Sequence, residues 1–274
     1  MLYSATGLFY TDFEVKRMSE YTKQIQAWWE ETADSDWYAS LRTQEAIEAL
    51  LSDPKGAFAL QVFALLEKRL GGFAGKRVLV PSCGDCHAAF ALSVLGADVT
   101  ASDISIKQLD YAKGIAQRCG LRMQFIQADT MKLEPFAGNT FDLVYTSNGV
   151  HTWIDRPDKM YESIARVLKH GGLSVMWDIH PFQRPFAGEG FAQPKVGKAY
   201  DYVAPQEHNH WRVRDWVNSM ARSGLCIEEM LELNGGTDYW YRYDEAPDVR
   251  AADWQQNPMA ALPTHICIAA RKER

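Results

Sequence analysis

Gly84 and Asp103 stand 19 positions apart, each where a short apolar segment gives way to a turn. Val78-Leu79-Val80 is an apolar run suited to a buried parallel strand. Pro81-Ser82-Cys83-Gly84-Asp85 breaks that pattern, and Asp85 is placed to cap a helix beginning near Cys86. Asp98-Val99-Thr100-Ala101-Ser102-Asp103 reads as the next strand. In a parallel sheet both strands end on the same side, so Gly84 and Asp103 face one crevice. Without a Cβ, Gly84 lets a ligand approach the backbone. An acid at the neighbouring strand end can accept hydrogen bonds from both hydroxyls of a ribose. The pair predicts a site for an adenosine-containing cofactor.

The elements that must position this pair follow from the pattern around it. Strands are expected at 77–81, 98–102, 122–127, 141–146 and 172–179, with helices at 87–95, 105–119 and 157–169. Gly96, Gly120 and Gly171-Gly172 punctuate the helix ends. This alternation predicts an α/β chain with a doubly wound, mostly parallel sheet. Residues 14–70 read as mostly helical, carrying Trp28, Trp29, Trp37 and Tyr38, and the segment 57–70 stops at Gly71-Gly72. After His180 the rhythm breaks into an irregular stretch at 181–210. A helix at 211–223, a strand at 225–232, a second irregular stretch at 234–262 and a last strand at 264–270 follow. The division expected is an N-terminal helical cap at 1–74 and a second domain at 75–274, with insertions at 181–210 and 234–262.

Several motifs in order carry a resemblance. Val78-Leu79-Val80-Pro81-Ser82-Cys83-Gly84-Asp85-Cys86 stands first, with Asp103 after it. Gln127-Ala128-Asp129-Thr130, Phe141-Asp142-Leu143-Val144-Tyr145-Thr146-Ser147-Asn148 and Val167-Leu168-Lys169-His170-Gly171-Gly172-Leu173 follow. Together they resemble the class I S-adenosylmethionine-dependent methyltransferases, in a variant with the first motif VLVPxxGD. The resemblance covers 75–180 well and 211–272 by pattern. It implies a seven-stranded, Rossmann-like methyltransferase fold, S-adenosyl-L-methionine as cofactor, and a catalytic domain at 75–274. It assigns Asp103 to the ribose, Asp129 to the adenine amino group and the backbone of Ser82, Cys83 and Gly84 to the amino-acid part. Ile104 and Thr130 are expected as further cofactor contacts, with Asn148 near the methyl. The chain departs from the family at Val80, where an acid is usual, and at Ser82 and Cys86, where glycines are usual.

A sulfonium methyl is already electrophilic, so the protein's task is alignment and exclusion of water. A general base helps where the nucleophile begins protonated. His151 lies in the segment after the fourth strand and is the first candidate for that base; the alternative is that it only shapes the pocket. His180, at the end of the fifth strand, and His210, before the helix at 211, are candidate substrate contacts, as are Trp153 and Tyr38. The N-terminal aromatics could form a lid or simply a core.

Composition narrows the acceptor. The net charge of −6 and 23% charged residues argue against a broad nucleic-acid surface. No Asp/Asn-Pro-Pro-Tyr/Phe motif or Pro-Cys pair follows the fourth strand, which counts against base methylation, and no acid set suggests a magnesium site. The expected acceptor is a small organic molecule, methylated on oxygen, nitrogen or carbon, with neither DNA nor membrane as partner. The five cysteines at irregular spacing, with no signal-peptide pattern at the start, suggest reduced thiols in a cytoplasmic protein. Three other readings stand beside this one: a tRNA nucleotide methyltransferase, a catalytically degenerate cofactor-binding regulatory domain, and a redox site at Cys83-Gly84-Asp85-Cys86.

Overall fold

The computed structural model describes residues 2–3, 9–10, 12–183, 209–234 and 263–273, with side chains from Glu20 onward. Most of both expected insertions, and with them Tyr239-Trp240-Tyr241, lies outside the described residues.

Seven strands form one sheet: β1 (Arg77–Pro81), β2 (Asp98–Asp103), β3 (Met123–Gln127), β4 (Phe141–Ser147), β5 (Leu168–Ile179), β6 (Leu225–Asn234) and β7 (Pro263–Lys272). Their order is β3-β2-β1-β4-β5-β7-β6, and β7 alone runs against its neighbours. Helices precede and alternate with them: α1 (Asp12–Thr32), α2 (Asp36–Leu41), α3 (Gln44–Ser52), α4 (Leu60–Leu70), α5 (His87–Val94), α6 (Ile106–Cys119), α7 (Pro157–Val167) and α8 (Val213–Arg222). The doubly wound reading therefore holds.

Strand periodicity divides the core into two layers. Val78, Val80, Tyr145 and Trp177 pack on one face with Leu66 of α4 and Phe90 of α5. Leu79, Val144 and Met176 pack on the other with Met160 and Ile164 of α7 and Met220 of α8. Val80, at the family's acid position, is 2% exposed within the first layer. A carboxylate there would need a dedicated partner.

Local chemistry sets the helix ends. Thr43 caps α3 by accepting the Ala46 N–H at 3.2 Å, and Ser105 caps α6 by accepting that of Gln108 at 3.2 Å. Gly71, at φ +69°, closes α4. The turn into β5 differs from expectation. α7 stops at Val167 and β5 begins at Leu168, because Leu168 already pairs with Phe141 before a register shift. The Gly171-Gly172 turn is thus folded into the strand rather than preceding it.

While α3 and α4 pack into the apolar core, α1 and the turn after it are tied to α6 by charge. Glu30 of α1 accepts the N–H groups of Ile106 and Lys107 at 2.8 and 3.1 Å, which puts a carboxylate at the positive end of α6. Asp34 takes Lys107 Nζ at 2.8 Å and Tyr111 Oη at 2.9 Å, and these bonds hold its carboxyl below the usual range. Arg42 stacks on the Tyr111 ring at 4.2 Å and donates to the Ala33 carbonyl at 2.7 Å and to Gln108. Replacing Glu30 with Ala should lower stability by about 1 kcal/mol, the size of a lost helix cap. Amide exchange at Ile106 and Lys107 should quicken with it; unchanged exchange would mean that this contact fastens nothing.

Candidate active site

Both acids of the sequence motif sit at carboxyl ends of adjacent strands, where open α/β sheets bind ligands. Asp103 ends β2 and is 6% exposed. Its Oδ2 accepts the Gly84 N–H at 3.0 Å and its Oδ1 the Ser105 N–H at 2.9 Å. Burial pushes this carboxyl above the usual range, while the N–H groups of Ser105, Gly84 and Ile104 pull it back. Each oxygen retains a lone pair for a ligand hydroxyl. Asp129, just after β3, accepts the Met131 N–H at 2.9 Å through Oδ1. Its Oδ2 is buried with no hydrogen-bond partner, and burial raises this carboxyl too.

The turn after β1 is tightly coiled. Ser82, Gly84 and Cys86 have φ of +50°, +51° and +62°. A Cβ on Gly84 would lie 3.3 Å from the Tyr38 hydroxyl, so a side chain there would be strained by φ and would press on Tyr38. Ser82 holds its left-handed conformation beside a 2.8 Å hydroxyl contact to Thr130, which joins this turn to the one carrying Asp129. Asp85 Oδ1 accepts the His87 N–H at 2.9 Å at the start of α5. Cys83 and Cys86 are both buried, their Sγ atoms 2.9 Å apart, and burial raises the Cys83 thiol. A redox cysteine needs the opposite shift. Cys86 packs inward and does not line the cavity in front of the turn.

That cavity has a volume of about 810 Å³. Ser82, Cys83, Gly84, Asp103 and Ile104 line it from the ends of β1 and β2; Asp129, Thr130 and Asn148 line it from those of β3 and β4. Trp153 and Tyr38 also lie on its wall. The helices α1 and α2 cover it: Trp28 stacks on Trp153 at 4.4 Å, and Trp29 meets Trp153 edge-on at 5.2 Å and Tyr38 at 6.1 Å. The N-terminal aromatics thus wall the cavity rather than only a core. An adenosine-bearing cofactor fits these residues on two observations: the partnerless Asp129 oxygen and the side-chain-free approach at Gly84.

Three expected positions lie elsewhere. His151 is 2% exposed and off the cavity wall. Its Nδ1 lies 2.7 Å from Asp178 Oδ2, and its Nε2 lies 2.8 Å from Tyr161 Oη. Both ring nitrogens are engaged, so the expected base is instead a buried strut. Asp178 also accepts the N–H groups of Gly149, His151 and Ile179, mooring the loop after β4 to the end of β5. His180 turns toward β6, with Nε2 3.2 Å from Glu232 and Nδ1 accepting the Phe182 N–H at 3.1 Å. His210 is turned away as well. Asn209 donates its N–H to the Thr152 carbonyl and Trp211 its indole N–H to that of Ile154, which leaves His210 in a separate narrow cleft beside Trp216. Conversely, His87, Trp177 and Tyr21 line the cavity without having been singled out. His87 follows directly on the first motif, and that adjacency was the available signal.

A glycine turn after β1, acids at the ends of β2 and β3, and this strand order suit a methyltransferase with an adenosyl cofactor. Residues 79–176 match the methyltransferase domain family. The chain is 29% identical over 193 residues to a ubiquinone/menaquinone biosynthesis C-methyltransferase of Bdellovibrio bacteriovorus, covering 65% of this chain and 81% of that one. It is 33% identical over 123 residues to a demethylmenaquinone methyltransferase of Renibacterium salmoninarum, spanning 44% of this chain and 49% of the relative. In fold it resembles the geranyl diphosphate C-methyltransferase of Streptomyces coelicolor, with a TM-score of 0.60 at 16% identity over 92% of this chain and 97% of that one. Residues 79–176 thus carry a methyltransferase domain, and the chain is similar to known methyltransferases over 65% of its length.

Asp155, beside the cavity-lining Ile154, gives the site a pH signature. Burial raises its carboxyl to about 6, and its Oδ1 has no hydrogen-bond partner. A folded-state value above the unfolded one means that the folded protein prefers the protonated form. Stability from this group is present below about pH 4 and is lost as pH rises through about 6. Asp155→Asn should therefore melt higher than wild type at pH 7 and the same at pH 4. Equal melting temperatures at both pH values would contradict this assignment.

Proposed function

We propose that this enzyme transfers the methyl group of S-adenosyl-L-methionine to a small, largely apolar organic molecule, in the cytoplasm, with residues 1–74 acting as a cap over a catalytic domain at 75–274. The observation that carries the reading is the convergence of Gly84, Asp103, Asp129 and Asn148, from four separate strand ends, on one cavity. Asp103 would hold the ribose hydroxyls, Asp129 Oδ2 the adenine amino group, and the backbone of Ser82, Cys83 and Gly84 the amino-acid part. Bound there, the cofactor supplies an electrophilic methyl. The residues of this chain then orient the acceptor and keep water out, with Trp29, Tyr38 and Trp153 walling the space.

The named relatives support a small-molecule acceptor; a tRNA acceptor has no support among them. Methylation of a ring carbon in a quinol-like molecule is the acceptor chemistry that the two curated relatives suggest. Free thiols at all five cysteines suit a reducing compartment. Among the described residues no helix is long and apolar enough to cross a membrane.

Calorimetric titration with S-adenosylmethionine and with its demethylated product tests the assignment. Micromolar binding is expected. Asp129→Ala should weaken it by about tenfold or more, the scale of one hydrogen bond to a charged group. Asp103→Ala should abolish it, with circular dichroism reporting that the fold persists. Binding unchanged in both variants would refute the assigned roles, and a folded wild type that binds neither ligand would overturn the enzyme reading.

A further inference from the structure

The cavity continues past the strand ends into a second lobe, between α3, the Pro54–Ala57 turn and the start of α5, which pack on one another. Ala46, Ala49 and Leu50 fall at i, i+3 and i+4 of α3, so one face of that helix meets the lobe. Gly56, Ala57 and Ala88 extend this wall of mostly small groups. Ala49, Ser52 and Asp53 are solvent-exposed, so the lobe opens outward. An acceptor must enter and leave at every turnover, and this mouth offers the route.

His87 is the one histidine on the cavity wall among the described residues. Its Nε2 lies 2.9 Å from the Leu41 carbonyl oxygen. A carbonyl oxygen only accepts, so Nε2 carries the ring proton and Nδ1 of the neutral imidazole keeps a lone pair. No partner for Nδ1 occurs among the described residues. The ring is held in place, with the Leu41 carbonyl on one nitrogen and the His87 backbone N–H on Asp85. A fixed, half-buried imidazole with an unused acceptor atom is what a proton-accepting group requires.

We propose that this lobe receives the methyl acceptor and that His87 Nδ1 takes the proton of its hydroxyl, the acceptor being a small planar phenol or enol. The proposal rests on the methyltransferase reading above. The aromatic ring of Trp29 elsewhere on the wall suits such a molecule. The acceptor's O–H bond breaks, its proton passing to Nδ1 and its electron pair staying on oxygen. That oxygen, or a ring carbon conjugated with it, bonds to the methyl carbon as the carbon–sulfur bond breaks and leaves its pair on sulfur. Attack through carbon is completed by loss of the carbon-bound proton to water. The imidazolium, still donating Nε2–H to Leu41, returns its added proton to solvent.

The test uses the full chain, loaded with the demethylated cofactor product and labelled with ¹⁵N-histidine, with 1-naphthol and naphthalene as probes. Expected is a shift of the His87 Nδ1 resonance on adding 1-naphthol and none with naphthalene, with 1-naphthol binding about fivefold tighter, the worth of one hydrogen bond. In His87→Phe the preference should vanish while the cofactor product still binds. Ala49→Trp, at an exposed position, should exclude both probes. The proposal falls if the wild-type resonance does not move, if neither probe binds the loaded protein, or if Ala49→Trp binds both as before. It also falls if the cofactor product alone shifts Nδ1 and 1-naphthol adds nothing, since the lobe would then hold the cofactor's amino-acid end. Failure of the cofactor product to bind at all would sink the methyltransferase reading itself and is seen before any probe is added.

Discussion

A buried carboxylate must be met by donors, and the Asp103 carboxylate is met by backbone. Its two oxygens take N–H groups from Gly84 and Ser105, so one side chain ties the turn after β1 to the start of α6. The same helix start receives a second carboxylate, Glu30, from the N-terminal cap. The helix α1 and the sheet therefore meet at the positive end of α6, next to the residue assigned to the ribose.

Asp178 repeats the device at the end of β5. It gathers the N–H groups of Gly149, His151 and Ile179 together with the His151 imidazole, and Tyr161 closes the chain from α7. The loop after β4 is thereby locked, with Asn148 held at φ +44° on the cavity wall. The price is His151 itself, whose ring has no nitrogen left for a substrate. His87 presents the converse. One nitrogen is held by a backbone carbonyl, and the other meets no partner among the described residues.

The departures from the family pattern are absorbed by packing. Val80 belongs to an apolar layer, and Cys86 turns inward against Cys83. Ser82, in a backbone conformation that glycine would adopt more readily, is fixed by its contact with Thr130. None of these changes fills the cavity from the Cys86 position, so the substituted motif still leaves the turn open to a ligand.

Alternating strand and helix periods, glycine punctuation and the spacing of Gly84, Asp103 and Asp129 were legible in the chain because they are local. Each central strand must be apolar on both faces, and each acid must stand at or just after its strand's end. That local logic determined the sheet, its crevice and the strand-end residues that line it. What it could not determine was which histidine points where. The fates of His151, His180 and His210 depend on Asp178, Glu232 and the Thr152 and Ile154 carbonyls, groups brought near by strand order and loop docking. The Gly171-Gly172 turn likewise joined β5 only because Phe141 was there to pair with Leu168. Hydrogen-bond partners across the fold decide whether an imidazole is spent or available, and only the tertiary structure supplies them.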